Sequence, residues 1–188
     1  SNKGGVAIIS PPTSLWKVTS SFVVVAGYAL LIDMVGPDES HISITSCYFD
    51  PANVGRSCSH VCPALQRAIL RTHDPSSFIW GGDLNIKPSM SADHKERFSQ
   101  QKEDKDLDCH VGTMNAHELR LPHGEFTYSA LVSETRQFST IDRAFISGSL
   151  ALLKGVDWHL AAKHTGIPSS HHKVLLLQAR PVHKAKSR

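Results

Sequence analysis

The chain has 188 residues, 40% of them hydrophobic and 20% charged, enough apolar side chain for one sizeable core and too little length for two comfortable domains. That balance excludes a disordered chain, while a formal net charge of +3 permits a polyanionic partner without demanding one. Twelve histidines would add positive charge on mild acidification.

The longest apolar stretch, Phe22 to Val35, has 14 residues and already contains Asp33. It is too short and too polar to cross a bilayer, so a soluble chain with no membrane partner is expected. No signal or transit peptide is visible at the start. Cys58, His60 and Cys62 lie close together, and Cys109-His110 follow far downstream. This spacing matches no compact zinc module. Free thiols in an intracellular, reducing compartment are expected, with nucleus and cytoplasm not distinguished.

Lys3 to Ile9 opens the chain as a strand-like run. Phe22 to Ile32 is rich in β-branched and aromatic residues around a central Gly27, and reads as one or two buried strands. Gly36-Pro37-Asp38-Glu39 has turn chemistry, and His41 to Tyr48 alternates with Ile42 and Ile44 on one face. A meander of antiparallel pairs follows from this pattern. Asp50-Pro51 breaks the strand, and a helix is predicted from about Ser59 to Arg71, with Val61, Leu65, Ala68 and Ile69 on one stripe. Pro63 then falls in the first turn, and Ser57 or Ser59 serves as cap. Between Pro88 and Asp108 charges of both signs alternate, which predicts a solvated loop with some helix. Short β-type runs recur at Glu125–Ser129, Phe138–Ser147, Val156–Leu160 and Val174–Leu177, and a basic tail follows. The domain is set at residues 1–178 and the tail or linker at 179–188. Strands alternating with helix predict an α/β layered domain with its site on one rim of the sheets.

The chain is organised around Phe78-Ile79-Trp80-Gly81-Gly82-Asp83-Leu84-Asn85, an apolar run that ends in two glycines, a carboxylate and a carboxamide. Cleaving a phosphodiester with water requires a deprotonated nucleophile, neutralised phosphate oxygens and a stabilised leaving oxygen. Carboxylates suit a hard divalent cation, an amide holds a phosphate oxygen, and an imidazole serves as acid or electrophile. Asp83 and Asn85 fit the first of these needs and part of holding the phosphate, although Asp-x-Asn by itself more often marks an Asx-turn. Asp142 sits in the apolar run Ile141-Asp142-Arg143-Ala144-Phe145-Ile146 and needs a partner when buried, either Arg143 or a histidine. Ser169-Ser170-His171-His172 stands directly before the last strand, where a rim histidine would lie.

In order, Gly82-Asp83-Leu84-Asn85, Ser139-Thr140-Ile141-Asp142-Arg143-Ala144-Phe145-Ile146-Ser147 and Ser-x-His before a hydrophobic strand resemble the endonuclease/exonuclease/phosphatase superfamily. The second motif is particularly similar to the endonuclease domains of LINE-type retroelements. The resemblance implies a four-layer α/β sandwich, two packed mixed or antiparallel β-sheets flanked by helices, incomplete at the N-terminus. It implies a Mg²⁺- or Mn²⁺-dependent endonuclease acting on nucleic acid, DNA above RNA, within a retroelement-type polyprotein joined to a downstream domain. It assigns Asp83 to orienting and deprotonating water, and Asn85 to the phosphate and to placing Asp83. Asp142 would hold the catalytic imidazole, with Tyr48 and Asn53 contacting phosphate.

Two departures follow. The family's metal-ligand Glu has no counterpart before Glu39, so no principal metal ligand is assigned and weak cation binding by this chain is expected. The closing Ser-Asp-His motif also lacks its Asp, so either His171 or His172 is the catalytic imidazole. A degenerate, inactive domain kept for binding or as a vestige is the alternative. A phosphoinositide phosphatase ranks below both, because Trp80 fits that branch but no Trp-Cys-Asp-Arg run surrounds Asp142.

Overall fold

A computed structural model describes residues 6–9, 12–86, 102–132, 135–154, 156–164 and 171–181. Its frame is a six-stranded mixed sheet in which the strands Lys17–Val25, Ala29–Val35, His41–Tyr48, Phe78–Asp83, Asp142–Ser147 and Ala116–Leu119 lie side by side in that order. The first three strands, β1 (Lys17–Val25), β2 (Ala29–Val35) and β3 (His41–Tyr48), form the antiparallel meander predicted from the alternation. Gly27, at φ 78°, makes the turn between the first two, so the apolar run from Phe22 is a hairpin whose first arm starts earlier, at Lys17. Of the opening run, residues 3–5 lie outside the described residues, Val6–Ile9 carry no regular structure, and Ile9 is exposed.

Helix α1 (Val54–Ile69) crosses over from β3 to β4 (Phe78–Asp83), and these two strands pair in parallel. The helix begins five residues before its predicted start. Asn53 is its N-cap, without a side-chain cap bond, and Pro63 lies well inside rather than in the first turn. Packing overrides the proline penalty, since Cys58, Val61, Cys62, Leu65 and Ile69 are all buried against the sheet. Each large aliphatic among them contributes about 1.5–3 kcal/mol by leaving water.

On the same face, Ala29, Leu31, Cys47, Phe78, Trp80 and Phe145 form the core beneath α1, and Trp80 stacks on Phe145 at 4.2 Å between ring centroids. The polar face of β3 is the one turned inward here. Ser43, Thr45 and Cys47 are buried while Ile42 and Ile44 are only half-buried, and the Ser43 hydroxyl donates to buried Asp33 at 2.6 Å. A central strand is covered on both faces, so alternation alone did not identify its inner side.

Helix α2 (Lys102–Thr113) follows and leads to β5 (Ala116–Leu119). Of the charged stretch, residues 88–101 lie outside the described residues, and the remainder is not all solvated, because α2 buries Leu107 and Asp104. Two hairpins make a second layer: β6 (Tyr128–Val132) with β7 (Thr135–Ser139), and β9 (Val156–His164) with β10 (Lys173–Pro181). An isolated bridge between Tyr128 and His172 joins them. β10 continues to Pro181, past the 178 boundary drawn from composition. β8 (Asp142–Ser147) pairs with β4 and β5, and the short α3 (Gly148–Ala151) closes it. Among the described residues no helix is long and apolar enough to cross a membrane.

Candidate active site

Two strands of the main sheet deliver the carboxylates. β4 ends on Asp83, and its antiparallel neighbour β8 starts on Asp142, so the two stand directly opposite one another. Both lie on the face opposite Trp80 and Phe145, toward the second layer, because strand side chains alternate. Like charges opposed across a ladder repel. The Asp83 carboxyl is pushed up to about 6, first by burial and then by Asp142, against the opposing pull of His172 and Asn85.

His172 meets them from the second layer. Its Nδ1 lies 3.1 Å from Oδ2 of Asp142 and 3.3 Å from Oδ1, and its Nε2 lies 3.9 Å from Oδ2 of Asp83. Tyr128 packs its ring edgewise on this imidazole, 5.0 Å between centroids. His171 is exposed and turned away, 6.2 Å from Tyr128. Of the two histidines left open by the sequence, His172 is the one that the fold brings to Asp142. Ser169 and Ser170 lie outside the described residues.

Arg143 is not the partner of Asp142. Strand alternation sends it to the opposite face, where it donates from Nη1 to Asp104 at 2.7 Å and from Nε to Glu118 at 2.6 Å. Burial works against its charge, but Glu118 and Asp104 hold the guanidinium protonated and raise its pKa above the usual arginine value. This buried triad ties α2 and β5 to β8.

The Asx-turn and the site coexist at Asn85. Its N–H donates to Oδ1 of Asp83 at 3.2 Å, and its Nδ2 donates to the Phe49 carbonyl at 2.8 Å. Asn85 takes φ 51°, a left-handed conformation that asparagine tolerates. Together these bonds fix the Asp83 side chain at the end of its strand.

Tyr48 is the parallel register partner of Asp83 and stacks on Tyr28 at 6.4 Å. Its hydroxyl pKa is raised, by burial first and then by Asp83 and Asp50. Asn53 opens α1 at the edge of a cavity of about 620 Å³ that Tyr28, Asp50, Arg56 and His60 also line. Arg56 carried no expectation from the sequence, and His60 stood out there only for its spacing with Cys58 and Cys62. Their i, i+4 spacing on a helix beginning at Asn53 was the available signal.

Asp83, Asp142 and His172 each bring a ligating atom within 4.8 Å of the others. Two facing carboxylates, one with its pKa raised by burial and then by its neighbour, fit a divalent cation, with oxygen donors that suit Mg²⁺ or Mn²⁺. Cys47, Cys58 and Cys62 are free and buried, and Cys109 is free and exposed.

No family model matches the sequence, and no curated protein is similar to it. Solved structures are similar. The endonuclease domain of TRAS1, a telomere-specific non-LTR retrotransposon, superposes with a TM-score of 0.65 at 18% identity, over 87% of this chain and 70% of that one. An endonuclease/exonuclease/phosphatase family protein from Leptotrichia buccalis gives 0.54 at 12% identity, over 87% and 62%. TDP2 of D. rerio, complexed with single-strand DNA product, gives 0.51 at 12% identity, over 84% and 64%. The mixed α/β sheet, its helices and the second strand layer give the chain the DNase-I-like sandwich fold of these structures.

Proposed function

We propose that the chain is a metal-dependent phosphodiesterase of nucleic acid, an endonuclease of the mobile-element kind with DNA as its substrate. The observation that carries this reading is the meeting of Asp83 at the end of β4, Asp142 at the start of β8 and His172 just before β10. Likeness to the TRAS1 endonuclease domain and to TDP2 with its DNA product supports it. Mg²⁺ or Mn²⁺ held at Asp83 and Asp142 would neutralise charge on the phosphate oxygens.

The chain's own residues supply the rest. Asp83 takes a proton from the attacking water as its oxygen bonds to phosphorus and the bond to the leaving oxygen breaks. A carboxyl poised near 6 is a stronger base than an ordinary aspartate and still ionises at neutral pH. Asp142 fixes the His172 ring through Nδ1 and supports its positive charge, so that Nε2–H donates to a phosphate oxygen. Asn85 holds Asp83 in place and offers its amide to the phosphate. Tyr48 leans on the same phosphate, and the cavity beside Asn53, Arg56 and His60 receives the adjoining strand.

The test is cleavage of supercoiled plasmid and of single-stranded DNA and RNA by the 188-residue chain with Mg²⁺ or Mn²⁺, with Asp83→Ala as control. Cation-dependent DNA cleavage that disappears in Asp83→Ala is the expected result. No cleavage at all, or equal cleavage by the variant, overturns the reading. A second reading, a silent binding module, is favoured by one observation: among the described residues the ligating cluster holds only two carboxylates. Salt-sensitive DNA binding without turnover would select it.

A further inference from the structure

Thr127 is fully buried, immediately before β6, and its own bonds reach β7, the start of β8 and the start of β10. Its hydroxyl oxygen accepts from the N–H of Ile141 and from the N–H of Asp142, each at 3.1 Å. Its carbonyl accepts from the N–H of Lys173 at 2.7 Å, one residue past His172, and its own N–H donates to the Ser139 carbonyl at 3.1 Å. On the other side of His172, the N–H of Ser129 donates to the His171 carbonyl at 3.0 Å. The Ile141 carbonyl in turn accepts from the N–H of Leu84 at 3.0 Å, directly after Asp83.

The backbone enters β8 at Asp142, and two successive N–H groups there converge on one point instead of alternating across a ladder. Only an acceptor with two free lone pairs satisfies both, and a hydroxyl oxygen is such a group. A valine would fill the same volume and leave two buried donors without acceptors. The segment would then shift to find water, and Asp142 would turn with it. The backbone carbonyl of the same residue already fixes the His172 side, so side chain and main chain of Thr127 together set the distance between Asp142 and His172.

We propose that Thr127 is a positioning residue, whose hydroxyl holds Asp142 in register with His172. Its catalytic consequence rests on the hydrolytic reading of that pair, but its geometry does not. An imidazole N–H bonded to a carboxylate gives a downfield proton resonance, assignable here by its loss in His172→Gln. The experiment records that resonance and the thermal transition for the 188-residue chain, Thr127→Val and Thr127→Ser, with cleavage assayed alongside. The resonance should persist in wild type and Thr127→Ser and vanish in a folded Thr127→Val. Cleavage should fall roughly 10²-fold in Thr127→Val and recover in Thr127→Ser, the scale of a 1 Å misplacement. An inactive wild type would sink the hydrolytic reading and leave the spectroscopic comparison standing. Three results overturn the positioning role. The resonance is lost in Thr127→Ser, it persists in Thr127→Val, or Thr127→Val fails to fold while Thr127→Ser keeps both fold and resonance.

Discussion

His172 and Asp142, 30 residues apart in sequence, meet with Nδ1 3.1 Å from Oδ2, while His171 next door points into solvent. The bridge between Tyr128 and His172 sets this choice, because side chains of consecutive strand residues face opposite ways. His172→Ala should lower cleavage by about 10²–10⁴-fold, the range of a positioned proton-transfer group. His171→Ala should leave it near wild type. Turnover measured for both variants on one DNA substrate decides between them, and a reversed ranking would reject the geometric assignment.

Asp83 gives a stability effect with a defined sign. Its folded pKa of about 6 lies above the ordinary 3.8, so between those values the folded chain binds more proton than the unfolded one. Stability therefore falls as pH rises from about 4 to about 6, and the cost is complete above that. Asp83→Asn removes the charge and keeps an oxygen for the Asn85 N–H. It should stabilise the chain by on the order of 2 kcal/mol at pH 7.5, with no gain below pH 3.8. Urea denaturation at two pH values tests this, while the same substitution should abolish cleavage.

A divalent cation should relieve the same repulsion. Mn²⁺ at ten times its dissociation constant stabilises a chain that binds it only when folded by about 1.4 kcal/mol. The melting temperature of wild type should rise with Mn²⁺ and return on chelation. Asp83→Asn and Asp142→Asn should show neither change. A rise of equal size in both variants would place the ion elsewhere.

The carboxylates were legible because each interrupts an apolar run at a strand end, where burial makes a charge expensive unless it has a task or a partner. Asn85 was singled out only through its spacing from Asp83, a pattern that also marks an Asx-turn. The choice between His171 and His172 was not legible, since it depends on a cross-strand register that no local pattern encodes. Arg143 misleads for a related cause: it adjoins Asp142 in sequence and faces the other side of the sheet in space. Asp104, in a stretch whose mixed charges read as solvated, is buried against Arg143 beneath α2. Thr127 carried no signal at all, because a threonine in a β-type run is unremarked until its acceptor bonds are seen.

That buried triad makes a separate prediction. Arg143→Met leaves Asp104 and Glu118 without their shared cation, and breaking a buried pair in this way costs about 3–5 kcal/mol. Arg143→Lys should not restore the loss, since one ammonium cannot reproduce the paired Nε and Nη2 bonds to Glu118. Combining Arg143→Met with Asp104→Leu and Glu118→Leu should recover much of the stability, as read from urea midpoints. No recovery would show that Arg143 contributes through packing on Phe145 rather than through its charge.

Gly82 connects the sheet to the site most directly. It takes φ 141°, where L side chains rarely go, and a Cβ there would run into the carbonyl oxygen of Cys47 on the parallel neighbour β3. Neither backbone can retreat, because β3 is paired on both sides and Gly82 is followed at once by Asp83. Gly82→Ala should cost more than about 3 kcal/mol, the combined scale of backbone strain and overpacking. Any folded fraction should have lost cleavage, because the displaced strand end carries Asp83 away from Asp142. Gly112 in α2 is the control, with open space where its Cβ would stand. Gly112→Ala should stabilise by up to about 1 kcal/mol, the helix preference of alanine over glycine. Thermal melts of the two variants side by side separate a glycine that the strand geometry requires from one that the helix merely tolerates.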